Sequence, residues 1–288
     1  MNAVAAPPAE PFFLKAAGGQ RFCLYHPSAG PARGALLYLH PFAEEMNRSR
    51  RMAALQARAF AAAGHAVLQI DLAGCGDSSG DFGDARWDLW QADLALGADW
   101  LRAHVDAPLR LWGLRLGALL ALDYALDHAH GAAQAPAGML LWQPVLKGSA
   151  FLTQFLRLRL AGALLAEGDG AGPQGGTAAL RAALQAGETL EIAGYDLDPR
   201  LAAALDALAP LEALAPNCPV DWIEAVAQPG AAPSAGTARA AAAWQAAGVD
   251  LRLHTVAGAP FWTTTETTEN PAWLAAGSAA LEARLHGH

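Results

Sequence analysis

A five-residue segment with glycine at both ends, Gly113-Leu114-Arg115-Leu116-Gly117, lies between a short apolar run and an apolar helical stretch. Its spacing matches the G-x-S-x-G turn, in which a serine nucleophile sits between a strand and a helix and the glycines permit close backbone approach. Arginine occupies the serine position here. Because a guanidinium stays protonated at physiological pH and offers no lone pair, Arg115 cannot attack a carbonyl carbon. The segment therefore predicts the backbone of a nucleophile turn without its nucleophile.

Arg115 has two possible roles at this position. In the first, its guanidinium binds an anionic ligand beside the backbone N–H groups of Phe42 and Leu116 and the start of a helix, all of which favour negative charge. In the second, it forms an internal salt bridge to Glu44 or Glu45, because an unpaired buried guanidinium is costly. The residue types leave both roles open, and also the choice between the two glutamates.

Two other side chains with nucleophilic potential, Cys75 and Ser78, lie in the glycine-rich segment after the apolar run 66–70. Ligands of open α/β sheets bind at the carboxyl ends of the strands, which is where this segment is expected. A cysteine nucleophile needs a lowered pKa and a nearby base, and His40 is the one histidine placed for that role. This shortage of bases favours a turn role for Cys75, and both residues stay weak catalytic candidates.

Aromatic residues near predicted strand ends complete the candidate site. Such side chains either pack in the core or line a cleft that holds an acyl chain or a sugar ring. The predicted ligand-binding set is Phe42, Glu44, Glu45, Arg115, Leu116, Trp142, Gln143, Phe261 and Trp262. The cluster of Asp127, His128 and His130 is interpreted as a helix-end cap, so no metal site is predicted, and no cofactor is predicted either.

Strands alternate with helices along most of the chain, which is typical of a doubly wound, mostly parallel α/β sheet. The predicted core strands cover residues 34–40, 66–70, 109–112, 138–142, 220–226 and 251–256, after an opening hairpin of residues 11–14 and 21–26. The alternation stops between residues 149 and 216, where helical segments surround a glycine-rich link. We therefore expect a core of residues 1–148 and 217–288 with a helical cap insertion of residues 149–216.

The totals exclude several classes of protein. The 288-residue chain is 53% hydrophobic, but no run of about 18 apolar residues predicts a membrane span. A net charge of −8 disfavours a nucleic-acid partner. The three cysteines, Cys23, Cys75 and Cys218, suggest no disulfide framework. The first residues have neither the basic nor the apolar region of a secretory signal, so we expect a cytoplasmic protein.

Four sequence runs carry a resemblance to known proteins. They are HPFAEEMNRSRRM (40–52), LQIDLAGCGDSSGDF (68–82), LWGLRLGALLA (111–121) and LWQPVLKG (141–148). Their order resembles the α/β-hydrolase superfamily over nearly the whole chain. The runs themselves are similar to a bacterial family, exosortase A system-associated hydrolase 2. That resemblance implies a role beside the sorting and exopolysaccharide apparatus for PEP-CTERM proteins.

The three positions of the superfamily's catalytic triad hold unsuitable residues in this chain. The nucleophile falls on Arg115, and the acid should follow the run 220–226, where Ala227-Gln228-Pro229-Gly230 holds no carboxylate. The histidine position is filled by Pro260 or Phe261. Glu266 and Glu269 lie farther on, where exposure to solvent is the favoured interpretation. The resemblance leaves the backbone N–H donors of the oxyanion site, and donors without a nucleophile bind rather than cleave.

Two functions follow as hypotheses. In the first, the protein is a pseudoenzyme that binds a small anionic, acyl or glycan ligand, or a protein partner of the exosortase-linked pathway, without turnover. In the second, it is a non-standard ester or thioester hydrolase or an acyltransferase, which uses Arg115, one of the two glutamates Glu44 and Glu45, and Cys75 in the same capped pocket. The vacant triad positions favour the first hypothesis.

Overall fold

An eight-stranded sheet organises the computed structural model, which describes residues 6–129, 135–167 and 175–285. The strands of the chain are β1 (Glu10–Ala16), β2 (Gly19–His26), β3 (Gly34–Leu39), β4 (His65–Ile70), β5 (Leu109–Leu114), β6 (Gly138–Trp142), β7 (Leu190–Ile192), β8 (Tyr195–Leu197), β9 (Val220–Val226) and β10 (Leu251–Ala257). The large sheet has the order β1-β2-β4-β3-β5-β6-β9-β10. β1 and β2 run antiparallel to their neighbours, and the other six strands of this sheet, β4, β3, β5, β6, β9 and β10, are parallel.

Helices cover both faces of this sheet, so its central strands are buried on both sides. The helices are α1 (Glu44–Ala62), α2 (Trp87–His104), α3 (Leu116–Asp127), α4 (Gly148–Glu167), α5 (Gly176–Gln185), α6 (Pro199–Ala207), α7 (Ala235–Ala246) and α8 (Pro271–Leu285). α1 and α8 pack on one face, and α2, α3 and α7 pack on the other. Every residue of β3 is buried, as expected for a parallel strand between two helical layers. The predicted doubly wound α/β class is confirmed.

The start of α1 differs from the sequence-based prediction. By residue type, Asn47 and Ser49 suit the cap of a helix that begins near Arg50, but the helix begins at Glu44. Two acidic residues in its first turn complement the positive end of the helix dipole, so the turn forms without a side-chain cap. This earlier start places Glu45 inside the helix and close to the turn after β5.

The segment between β6 and β9 holds α4, α5 and α6 and one element that the pattern does not predict. β7 and β8 form an antiparallel hairpin of two three-residue strands. Ala193 and Gly194 between them both have positive φ, of 52° and 86°, which permits a two-residue hairpin turn. Strands this short carry too few residues for a period-two pattern, so the sequence gives no signal for them.

A buried ion pair fixes β2 to α2. The Nε atom of Arg21 donates a hydrogen bond to Oδ1 of Asp93 at 2.7 Å, and each side chain is only 3% exposed. The second carboxylate oxygen of Asp93 accepts a hydrogen bond from the backbone N–H of Ala73 at 2.7 Å. Asp93 therefore joins a strand, a helix and the loop after β4.

We expect Asp93→Asn to lower the free energy of unfolding by about 3–5 kcal/mol, because it leaves Arg21 as a buried, uncompensated cation. Asp99→Asn on the same helix is the matched control, since the Asp99 side chain is 70% exposed in its pair with Arg102. Exposed pairs contribute about 1 kcal/mol or less. Urea unfolding measures both variants, and equal losses would contradict the assigned role of Asp93.

Candidate ligand site at the strand-to-helix turn

The backbone at Arg115 has the strained conformation of a nucleophile turn. Arg115 has φ 56° and ψ −116°, between the end of β5 and the start of α3. Its N–H donates a hydrogen bond to the carbonyl oxygen of Trp142 at 2.9 Å, and its own carbonyl accepts one from the N–H of Ala118 at 3.1 Å. A non-glycine residue at positive φ costs about 1–3 kcal/mol and persists only where the surroundings enforce it. The neighbouring strand enforces it here.

Both flanking glycines are required by close backbone contacts. A Cβ atom on Gly113 would lie 2.5 Å from the Cα atom of Ala118, and one on Gly117 would lie 2.3 Å from the carbonyl oxygen of Leu39. Neither distance is compatible with a side chain, because the contacted atoms belong to the backbone. The interpretation of these two glycines from the sequence is confirmed.

The side chain of Arg115 is paired inside the protein. Its Nε atom donates a hydrogen bond to Oε1 of Glu45 at 3.2 Å, and its Nη1 atom lies 3.5 Å from the carbonyl oxygen of Gln143. The guanidinium carbon lies 5.7 Å from the centre of the Trp262 ring, within the range of a cation–π contact. Of the two glutamates left open by the sequence, Glu45 is the partner.

The carboxyl group of Glu45 is held in an unfavourable environment for its charge. Burial raises its pKa above the ordinary value, although the nearby cations of Arg115 and Arg48 oppose that shift. One of its oxygens, Oε2, is buried and has no hydrogen-bond partner among the described residues. Arg115 therefore uses two of its guanidinium nitrogens in contacts, whereas one carboxylate oxygen of Glu45 has no hydrogen-bond partner in the described part of the chain.

Glu44 belongs to a different contact. Its Oε2 atom accepts a hydrogen bond from the hydroxyl of Tyr195 at 3.0 Å, and it pairs with Arg48 in the next helical turn. Burial, followed by this hydrogen bond, raises the pKa of Tyr195 to about 12, so the hydroxyl keeps its proton. Glu44 thus ties the β7–β8 hairpin to the start of α1, beside the turn rather than in it.

Two backbone donors remain beside Arg115. Within the described parts of the chain, neither the N–H of Phe42 nor that of Leu116 donates a hydrogen bond. The adjoining cavity has a volume of about 10 Å³, which is room for one water molecule. It is lined by His40, Pro41, Phe42, Leu72, Trp87, Trp90, Leu116, Gly117 and Leu120. A larger ligand reaches these donors only if a side chain or a cap element moves.

The weak nucleophile candidates are both in unsuitable environments. Cys75 is buried, and burial together with the charges of Asp71 and Asp93 raises its pKa, so the sulfur stays a thiol. The hydroxyl of Ser78 donates a hydrogen bond to the carbonyl oxygen of Asp71 and accepts one from the N–H of Phe22. These contacts give Ser78 a structural role in the loop after β4.

His40, the base expected for Cys75, is also committed to structural contacts. Its Nδ1 atom donates a hydrogen bond to the carbonyl oxygen of Pro41 at 2.8 Å, and its Nε2 atom accepts one from the N–H of Leu72 at 3.2 Å. Burial lowers its pKa, which favours the neutral ring that this pattern requires. Both ring nitrogens are occupied, so His40 offers no free base to either Cys75 or Ser78.

Aromatic packing fills the position of the missing histidine. Phe261 and Trp262 pack with Trp142 and Trp273 in edge-to-face contacts, with ring centroids 4.9–6.1 Å apart. Trp142 and Phe261 have no exposed surface. Trp262, by contrast, lies against Arg115. A ligand contact for Trp142 or Phe261 stays a prediction, and their observed contacts are with the core.

The other predicted positions have structural partners. Gln143, at φ 42°, accepts a hydrogen bond from the N–H of Ala225 at 2.7 Å through its side-chain oxygen, which joins β6 to β9. Glu266 and Glu269 are both exposed, as expected, and Glu269 pairs with Arg51. His128 caps α3 by contacting the carbonyl oxygen of Tyr124. His130 lies outside the described residues, within which no cluster suited to a metal ion occurs.

Glu224 is among the buried acids that the sequence reasoning missed. Glu224 lies in β9 and accepts a hydrogen bond from the hydroxyl of Thr237 at 2.8 Å and another from the N–H of Ser234. A glutamate within a buried strand was the available signal. Glu224 anchors the start of α7, and the loop 227–230 after β9 holds no carboxylate.

The sheet, the flanking helices and the strained turn define an α/β-hydrolase. A model of the family described as "Serine aminopeptidase, S33" (Hydrolase_4) matches residues 30–187, more than half of the chain. The chain belongs to this family. No protein of curated function matches the sequence.

Solved structures agree on the fold. A lipase in its open form is 15% identical, with a TM-score of 0.67, and the match covers 98% of this chain and 100% of that one. Est1E from Butyrivibrio proteoclasticus, bound to ferulic acid, is 14% identical, with a TM-score of 0.62 and coverage of 96% and 99%. Alpha/beta hydrolase domain-containing protein 10 from mouse is 13% identical, with a TM-score of 0.60 and coverage of 97% and 99%. In the described part of this chain, no helix combines the length and apolarity needed to cross a bilayer.

The raised pKa of Glu45 predicts a pH dependence of stability. Because the folded protein keeps this proton to a higher pH than the unfolded chain, the free energy of unfolding should fall as pH rises between the two pKa values. Glu45→Gln should remove that fall. Arg115→Met should extend the fall towards neutral pH, and should lower the free energy of unfolding at pH 7 by about 1.5–3 kcal/mol. Urea unfolding at a series of pH values measures both.

The double variant is the control for this prediction. In the Glu45→Gln background, Arg115→Met should leave the pH profile unchanged, since no carboxylate remains to respond to the lost cation. A response of equal size in both backgrounds would show that Arg115 acts on another group.

Proposed function

We propose that this α/β-hydrolase is a non-catalytic member of the exosortase A-associated type, which uses Arg115 to recognise an anionic group. The observation that carries the proposal is the conformation of Arg115. The turn that normally presents a nucleophile presents a permanent cation instead. Every donor near it, including the start of α3, favours a negatively charged partner.

The surroundings of the turn support binding over cleavage. The nucleophile position holds Arg115, the base position holds Pro260 or Phe261, and the acid position falls in a loop without a carboxylate. Because a triad acts as one unit, loss of the nucleophile alone suppresses acyl transfer by several orders of magnitude. The second hypothesis, a non-standard ester or thioester hydrolase or an acyltransferase, is supported by family membership alone. Its proposed thiol at Cys75 lacks both a lowered pKa and a free base.

Glu45 occupies the position that a ligand anion would take. Its carboxylate already contacts the guanidinium, and its buried charge is only partly compensated. A ligand carboxylate or phosphate that displaces Glu45 would keep Arg115 paired, and Glu45 would then be relieved by protonation or by exposure to solvent. The pair with Glu45 thus compensates the charge of Arg115 when no ligand is bound.

The ligand class follows from the neighbours of Arg115 and from the resemblance. Trp262 lies beside the cation and Phe42 lines the adjoining small cavity, and aromatic rings suit the apolar part of an acyl chain or the face of a sugar ring. The resemblance to exosortase-associated proteins favours an acidic glycan, an anionic acyl group, or a carboxylate presented by a protein partner of that pathway. We place the anion on Arg115 in each case.

Turnover assays separate the two hypotheses. We expect no hydrolysis of short- or long-chain acyl esters and thioesters by the wild-type protein, and no labelling by a covalent serine or cysteine hydrolase probe. Arg115→Ser should also stay inactive, because Phe261 supplies no base to the new hydroxyl. Turnover by the wild type that disappears in Arg115→Ala would overturn the proposal.

Thermal shift measurements test recognition of the anion. Octanoate and galacturonate, each at ten times its dissociation constant, should raise the melting temperature by roughly 3 °C. Neutral octanol and galactose, at the same concentrations as the corresponding acids, should raise the melting temperature less. Arg115→Met should abolish the difference between acid and neutral probe, and Arg51→Met, at an exposed arginine paired with Glu269, should retain it. Equal responses of the two variants would refute a role for Arg115.

A further inference from the structure

A second and larger cavity lies on the other side of His40. It has a volume of about 180 Å³ and is enclosed by α1 and by strands β2, β3 and β4. Its walls include Phe22, Leu24, Tyr38, Met46, Arg50 and Ala54. A cavity of about 150 Å³ is enough to hold a benzene molecule, so this one accepts a single aromatic ring with substituents.

The register of the sheet and the period of α1 create this space. Tyr38 pairs with Gln69 on β4, and Gln69 pairs with Leu24 on β2, so the three residues form one row across the sheet. Met46, Arg50 and the adjacent alanines recur at the spacing of one helical face above that row. The small alanine side chains leave a gap between the helix and the sheet.

Polar groups stand at different depths of the cavity. Tyr38 is buried, and its hydroxyl has no hydrogen-bond partner among the described residues. Arg50 is 45% exposed and uses one nitrogen, Nη2, to contact Asp71 at 3.0 Å. Because Arg50 is open to solvent and Tyr38 is not, Arg50 marks the mouth and Tyr38 the interior.

The other polar residues on the wall also make contacts within the protein. His40 bonds through both ring nitrogens, and the side-chain oxygen of Gln69 contacts His26. The Oδ2 atom of Asp71 accepts hydrogen bonds from Arg50 and from the N–H of Asp77. Of the groups on the wall, the hydroxyl of Tyr38 and the outer nitrogens of Arg50 are the donors that suit a ligand with one polar and one anionic end.

We infer that this cavity binds a small hydroxyaryl carboxylic acid. The ligand's carboxylate lies at the mouth and accepts hydrogen bonds from Arg50, its ring packs among Phe22, Leu24 and Met46, and its hydroxyl meets the hydroxyl of Tyr38. Each part answers one feature of the cavity: an accessible cation, an apolar wall of ring size, and an unpaired buried donor. The inference does not depend on the function proposed for Arg115.

Calorimetric titration with 4-hydroxybenzoate tests the inference. We expect saturable binding with a stoichiometry of one, and weaker binding of benzoate, phenol and 4-hydroxybenzamide, because each lacks one of the matched groups. Failure of all four probes to bind would overturn the inference and would identify the cavity as a water site.

Two conservative variants assign the contacts. Tyr38→Phe should reduce the preference for 4-hydroxybenzoate over benzoate by roughly five- to tenfold, the effect of one hydrogen bond, without lowering the melting temperature. Arg50→Gln should remove the preference for the acid over 4-hydroxybenzamide. Arg51→Gln, one residue along α1 and outside the cavity, should change neither preference.

A third variant and one cross-check locate the binding. Ala54→Leu should fill the cavity and abolish binding of every probe; if it fails to fold, the first two variants still decide. Arg115→Met should leave the binding of 4-hydroxybenzoate intact. Binding that survives both Tyr38→Phe and Arg50→Gln unchanged, or that is lost in Arg115→Met, would contradict the proposed site.

Discussion

The positive φ of Arg115 is the constraint on which the site depends. A strand ends and a helix begins within one residue there, and this geometry is possible only because Gly113 and Gly117 permit backbone contact on either side. The hydrogen bond from Arg115 to Trp142 ties the turn to β6. None of these contacts involves the side chain at position 115. The fold therefore preserves the shape of a catalytic turn whichever residue stands in it, and the chemistry depends on that residue alone.

An arginine at such a turn requires changes elsewhere. A guanidinium with most of its surface buried needs a carboxylate, which Glu45 supplies from the first turn of α1. Glu45 in turn loses much of its solvation, which raises its pKa and leaves Oε2 without a partner. In a triad the acid orients the base, and the base takes the proton of the nucleophile. Here the side chains of Arg115 and Glu45 face each other directly, with Trp262 beside the guanidinium.

The sequence was sufficient for features that depend on local patterning. The parallel sheet follows from alternating apolar runs and helices, and the two glycines around Arg115 follow from their spacing. Features that depend on contacts between distant parts of the chain could not be predicted from the sequence. The choice of Glu45 over Glu44 depends on where α1 begins, and the β7–β8 hairpin is too short for a pattern. Trp142 is fully buried, but its local sequence is equally compatible with a side chain that lines a cleft.

His40 separates the turn at Arg115 from the cavity beside Tyr38. It contributes to the walls of both spaces, and its two ring nitrogens hold the end of β3 to the loop after β4. Protonation of the ring would break the contact with the N–H of Leu72, and burial lowers the pKa of His40 so that the neutral ring persists. A neutral ring that is hydrogen-bonded at both nitrogens forms the wall between the two spaces. The two ligands that we propose would therefore be recognised separately, one by Arg115 at the turn and the other by Arg50 at the mouth of the cavity beside Tyr38.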